Sequence, residues 1–135
     1  MVRQKTLVDE QTKLASILNV LNTQTEKENQ LKNELNTLKA ESEKYLQGNN
    51  FDPMTISNYA MYGQKLQEKL LLQMELIKKT KRDLSNQQQV VKQAYIKVKS
   101  LENLQDKQKE QYLKEFQQEE IKETDDIVNS RRNIA

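Results

Sequence analysis

One stretch interrupts an otherwise continuous helical pattern, and it limits the chain to very few shapes. Between Gln47 and Thr55 the sequence gathers Gly48, Asn49, Asn50, Phe51, Asp52 and Pro53, so one of the two glycines and the only proline fall within six residues. Asp52 followed by Pro53 is a helix start, because a carboxylate at the cap accepts unpaired amide protons and proline is pre-set for the first helical position. Gly48 is suited to ending the segment before it. The chain therefore reads as all-α, a two-helix antiparallel coiled-coil hairpin with a longer second helix. Residues 1–135 form a single coiled-coil domain in this reading, with helix 1 at about 4–47, a connector at 48–52 and helix 2 at about 53–130.

The pattern on either side supports this reading. Alternating steps of three and four from Leu7 reach Glu10, Leu14, Ile17, Leu21, Gln24, Glu28, Leu31, Leu35, Leu38, Ser42 and Tyr45, and eight of these twelve positions are apolar. The residues between are mostly Gln, Lys, Glu, Asn and Thr. Such a narrow stripe belongs to a coiled coil and not to a helix packed into a globular core. From Ile56 the same stepping gives Tyr59, Gly63, Leu66, Leu70, Gln73, Ile77, Thr80, Leu84, Gln87, Val91, Ala94, Val98 and Leu101. Beyond Leu101 the register decays, with Leu104, Leu113 and Phe116 out of step.

Folding the chain about Asn50 sets Leu35 against Leu66, Leu31 against Leu70, Ile17 against Leu84 and Glu28 level with Gln73. Two polar layers then coincide, either because a polar contact fixes the register or by chance. The same folding exhausts the first arm near residue 96. About 35 residues, Lys97 to Arg132, are left without an intrachain partner, and at 1.5 Å per residue they extend on the order of 50 Å. A lone helix of this polarity is marginal in water, so the segment is expected to meet another protein or to fray.

Composition narrows the function. Apolar residues are 35% of the chain and charged residues 31%, against roughly 45–50% and about 25% in ordinary globular domains. A thick core is excluded. The net charge of +2 gives no global attraction to nucleic acid or anionic lipid. With no cysteine and no histidine, thiolate chemistry, the commonest metal ligand and the commonest general base are all missing. No phosphate loop, paired carboxylates in a pocket or metal-ligand spacing occurs, and two helices alone offer no sizeable cavity. The expectation is a protein that is not an enzyme and holds no cofactor and no metal. The longest apolar run, Leu70 to Leu72, is far short of the roughly 18 residues of a membrane span, so a soluble, cytoplasmic chain without direct membrane insertion is expected.

Three groups of residues invite a binding role. Tyr59, Tyr62 and Leu66 lie opposite Tyr45 near the turn; Tyr59 and Leu66 also fit the seam, whereas Tyr62 sits off it beside a glycine. Lys78, Lys79, Lys81 and Arg82, with Lys92, Lys97 and Lys99, form a basic run that reads as a solvated helix face, since nucleic-acid binding wants aromatic or glycine interleaving or a known helix motif and only Tyr95 lies nearby. Glu119, Glu120, Glu123, Asp125 and Asp126, followed by Arg131 and Arg132, are either a charged contact surface or a solubilising one. Apolar anchors at Leu101, Leu104, Tyr112, Leu113, Phe116, Ile121, Ile127 and Val128 share that segment.

The run Leu101-Glu102-Asn103-Leu104-Gln105-Asp106-Lys107-Gln108, continued by Glu120-Ile121-Lys122-Glu123-Thr124-Asp125-Asp126, resembles the C-terminal pattern of the FliJ family of flagellar export proteins. There a leucine-spaced, basic and Gln-rich helix leads into a Glu, Lys and Leu-Asp-Glu signature; here Thr124-Asp125-Asp126 stands at the signature, a chemical match and not a literal one. Chain length, the two-arm layout and the Tyr59, Tyr62, Leu66 group also agree. The resemblance implies a stalk-like coiled coil of the type III export apparatus, similar in shape to the central stalk of rotary ATP synthases. Its implied partners are a hexameric flagellar export ATPase, a membrane export gate protein and export chaperones, with no nucleic acid, and the chain itself a monomer or weakly self-associating. The ATPase ring is assigned Leu101, Leu104, Tyr112, Phe116, Glu119, Glu123, Asp125, Asp126, Arg131 and Arg132. The gate or chaperones are assigned Tyr45, Tyr59, Tyr62 and Leu66. The family's aromatic contacts on the first helix are replaced here by Thr37, Leu38 and Glu41. The implied location is cytoplasmic, peripheral to the membrane at the flagellar base. Two other readings stand beside this one: a structural coiled coil that dimerises through its free arms, and a nucleic-acid-binding helix using Lys78 to Lys99.

Overall fold

The computed structural model describes the backbone of residues 2–134 and the side chains of residues 2–132. Two helices, α1 (Val2–Leu46) and α2 (Pro53–Ile134), pack against each other, and the second is the longer. The chain divides into two compact units, one of Val8–Lys92 and one of Met1–Leu7 with Gln93–Ala135.

The turn in the first unit is built by Asp52. Its Oδ1 accepts the Met54 amide proton at 3.1 Å and its Oδ2 the Thr55 hydroxyl at 3.3 Å, while its carbonyl takes the Ile56 amide at 3.2 Å as the first bond of α2. Proline at Pro53 then removes an amide that would have had no partner. The Asp52 amide itself donates to the Tyr45 hydroxyl at 2.7 Å, and the Tyr45 ring packs against Phe51 and Tyr59 with centroids 6.5 and 5.8 Å away. Gly48 does not take the left-handed conformation that commonly ends a helix, since no described glycine has positive φ. Instead α1 closes by a tightened last turn, in which the Gly48 amide reaches back three residues to the Tyr45 carbonyl at 3.1 Å.

Along α1, the described residues shielded from solvent run from Leu7 to Tyr45 in alternating steps of three and four, with none added and none missing. In α2 the shielded residues follow the expected stripe from Tyr59 to Leu101, with two departures. Ile56, expected in the seam, is 36% exposed, and Thr55 turns inward in its place because its hydroxyl is held by the Asp52 cap. Glu102 is half-buried beside Leu101. The apolar centre of the first unit is Leu31, Leu38 and Leu66, flanked by Leu35, Tyr59 and Leu70, and Leu66 is the most deeply buried at 2% exposure.

Two glutamines on α2 cross the seam. Gln73 Nε2 donates to the Gln24 carbonyl at 2.9 Å, and Gln87 Nε2 donates to the Glu10 carbonyl at 3.0 Å and to its Oε2 at 2.6 Å. A helical carbonyl points along the axis toward the amide four residues on, so the Gln24 oxygen is directed toward the Glu28 level and the Glu10 oxygen toward the Leu14 level. Both contacts span the same offset between the helices, one turn from the layer that sets Leu38 against Gly63, whose added Cβ would lie 3.5 Å from Leu38 Cδ2, and a glutamine side chain reaches across that turn. The folding about Asn50 sets Gln73 level with Glu28, yet its bond goes to the Gln24 main chain, one turn away. The Glu28 carboxylate turns instead to Lys32 at 2.7 Å. Gln24 Oε1 is buried in the same layer without a hydrogen-bond partner.

Glu10 is held below the ordinary carboxylate range, chiefly by the Gln87 amide and further by Lys13 at 3.3 Å, against an opposing desolvation effect. A depressed carboxyl stabilises the fold at pH values above its unfolded value and loses that contribution as pH falls through its folded value. Wild type is therefore expected to exceed Glu10→Gln in denaturant midpoint at neutral pH, and the gap to close on acidification through the carboxylate range. A gap independent of pH would contradict the assignment. At Gly63 the space for a methyl is ordinary van der Waals contact, so Gly63→Ala is expected to raise stability by roughly 0.5–1 kcal/mol through helix propensity; a loss in the same denaturation experiment would show the seam to be tighter there.

Candidate functional site

Two surfaces offer side chains to a partner, one in each unit. The first lies beside the turn. A groove of about 630 Å³ is walled by Leu35, Tyr45, Leu46 and Tyr59 and opened by the small residues Ser42, Ala60 and Gly63. Of the four residues assigned here from sequence, Tyr45 and Tyr59 are half-buried and form its aromatic wall, while Tyr62 is 49% exposed. Leu66 points into the seam, so it supports the surface from beneath. Sequence reasoning passed over Phe51, Met54 and Met61, all of which are exposed near the turn. An apolar residue lying off the seam was the available signal.

The second surface is on the unit formed by the first seven residues and the chain from Gln93 onward. Val98 is buried, Leu101 is half-buried, and Arg3 and Gln4 share a small hollow with both of them and with Glu102 and Gln105. From Asn103 to Arg132 every side chain is exposed. The apolar anchors Leu104, Tyr112, Leu113, Phe116, Ile121, Ile127 and Val128 all lie on this stretch. Phe116 and Ile127 do not follow heptad steps, yet the pattern is not lost.

Steps of four, three and four, repeated, pass through Leu101, Gln105, Gln108, Tyr112, Phe116, Glu119, Glu123 and Ile127. This is an 11-residue repeat, and because 3.67 residues per turn is close to the natural helix, it marks one face of a nearly straight helix. Of the residues assigned to this surface from sequence, Leu101, Tyr112, Phe116, Glu119 and Glu123 share that face. Leu104, Asp126 and Arg131 flank it, and Asp125 and Arg132 lie around the back. No ion pair among the described residues involves the acids from Glu115 to Asp126; the one pair in this unit is Lys99 with Glu102 at 3.9 Å.

Among the described residues no group of three or more acidic, His or Cys side chains comes together in a way that would hold a metal, and no helix is long and apolar enough to cross a membrane. The fold is that of a coiled-coil helical hairpin. The model of the flagellar FliJ protein family matches residues 5–133, and the chain belongs to that family. It is thus a component of the flagellar export apparatus. No curated protein and no solved structure matches it.

The two tyrosine and leucine positions near the turn separate by experiment. Leu66→Ala is expected to cost roughly 2–5 kcal/mol in denaturant unfolding, as deletion of a buried leucine does. Tyr62→Ala should stay within about 0.5 kcal/mol of wild type. A large loss at Tyr62 would make it a structural residue and remove it from the candidate surface.

Proposed function

We propose that the chain is the stalk-like component that binds and promotes the hexameric export ATPase through the α2 segment from Leu101 to Arg132. On this reading it couples the ring to the membrane export gate and to export chaperones through the surface beside the turn. It acts without catalysing a reaction, at the cytoplasmic face of the membrane to which it attaches only peripherally. The observation that carries the reading is the exposure of every side chain from Asn103 to Arg132 in a segment that still holds Tyr112, Phe116 and Ile127 on one face. An isolated helix of such polarity gains little from its own hydrogen bonds and is completed by a partner. A nearly straight helix with regularly spaced anchors suits insertion along a channel better than wrapping a supercoiled mate. The acids Glu119 and Glu123 add a charged contact to the same face with Asp126 at its edge, and Arg131 and Arg132 complement the C-terminal end of the helix dipole. At the turn, Tyr62 and the groove between Tyr45 and Tyr59 supply the aromatic contacts that interfaces favour.

The test is stimulation of the export ATPase by the intact chain and by a chain ending at Ser100. Truncation is expected to leave helical content in the remaining hairpin and to abolish stimulation. The same loss is expected from Tyr112→Ser with Phe116→Ser in the full-length chain. Undiminished stimulation by either would remove the ring from this surface.

A further inference from the structure

The face that runs from Leu101 to Ile127 is complementary to itself when reversed. Its N-terminal half carries two glutamines, Gln105 and Gln108, and its C-terminal half two glutamates, Glu119 and Glu123. Set two copies antiparallel about a two-fold axis level with Lys114, which lies around the back of the helix. Gln105 of each copy then meets Glu123 of the other, and Gln108 comes level with Glu120, one residue from Glu119. The apolar layers fall together in the same alignment, Leu101 with Ile127 and Tyr112 with Phe116. Lys109, at the edge of the face, comes beside Glu120 of the second copy.

The hairpin seam already uses this chemistry. There an amide of α2, Gln87 Nε2, donates to a carboxylate on an antiparallel neighbour, Glu10 Oε2, at 2.6 Å. A carboxylate in a thin seam is tolerated when an amide donor faces it, and the exposed arm repeats the same pair of residue types in reversible order. A parallel pairing would set Glu119 on Glu119 and Glu123 on Glu123, so like charges oppose it. The complementarity is therefore directional as well as symmetric, as an isologous contact requires.

We propose that the α2 arm, Leu101 to Ile127, pairs antiparallel with the same segment of a second copy of this chain, through glutamine–glutamate layers between apolar ones. The overlap is about 40 Å of helix at 1.5 Å per residue. The pairing covers the face that the proposed function assigns to an ATPase ring, and the experiment contains no ring, so its outcome is separate from that reading.

The full chain, which has no cysteine of its own, serves for the test. Sedimentation equilibrium from micromolar to millimolar concentration is expected to give a monomer–dimer isotherm. Gln105→Glu sets carboxylate against carboxylate and is expected to raise the dimer dissociation constant about tenfold or more. Adding Glu123→Gln to that chain restores the original value, and circular dichroism shows the same helical content throughout. Chains with Gln105→Cys, mixed with chains with Glu123→Cys and oxidised, are expected to link to each other in preference to themselves. A chain that stays monomeric over the whole range overturns the proposal. So does a Gln105→Glu chain that associates as well as the original, a double variant that fails to recover, or disulfides that join like positions.

Discussion

Two glutamine side chains hold the register on which the rest of the hairpin depends. In a seam one residue wide, apolar contacts are non-directional, and a slip by one heptad would still set apolar residue against apolar residue in several layers. Gln73 and Gln87 bond main-chain carbonyls, which already accept one bond within α1 and use their second lone pair for the crossing amide. Carbonyls recur at every residue, so a heptad slip would find new ones. It would not find a second Glu10, whose Oε2 takes the other share of the Gln87 amide, and it would bring Gln73 level with an apolar layer. Register therefore rests on one carboxylate and on the cost of burying an amide among leucines.

The seam was legible because one physical rule generates it. A helix that buries one narrow face must repeat every three and four residues, and no residue of α1 departs from that stepping. The turn was legible for a similar reason, since Asp52 and Pro53 act locally and need no knowledge of the second arm. The misses share a different character. Ile56 yields to Thr55 because a cap hydrogen bond outweighs one apolar contact at a helix end. Gly48 ends α1 without positive φ because the Tyr45 clasp on Asp52 and Phe51 sets the path of the connector. The acceptor of Gln73 lay hidden because a backbone carbonyl leaves no trace in residue type.

The arm beyond Leu101 shows where a correct period can be mistaken for none. Tested against heptads, Phe116 and Ile127 are strays; tested against 11 residues, they complete a face with Leu101, Gln105 and Tyr112. The change of period has a physical meaning, because heptads impose a left-handed supercoil whereas an 11-residue repeat is nearly straight. The surface beside the turn was less legible. Tyr45, Tyr59 and Leu66 follow the seam stepping and do serve the fold, whereas Tyr62 lies off it and stays exposed.

Glutamine and glutamate between the anchors solve a problem peculiar to an exposed helix with partners. Along the 11-residue face, Leu101 stands roughly 16 Å before the Tyr112–Phe116 pair and Ile127 roughly 16 Å after it, so the apolar groups do not merge into one large patch of the kind that drives indiscriminate association. The polar residues between them are solvated when the arm is alone and keep donors and acceptors available when it is covered. A leucine at Gln105 or Glu119 would add apolar contact but would bind any greasy surface equally. An amide or a carboxylate at those positions instead penalises every partner that leaves it unpaired. Selectivity on this arm is thus written in what the polar positions refuse, while the anchors at Tyr112 and Phe116 supply the attraction.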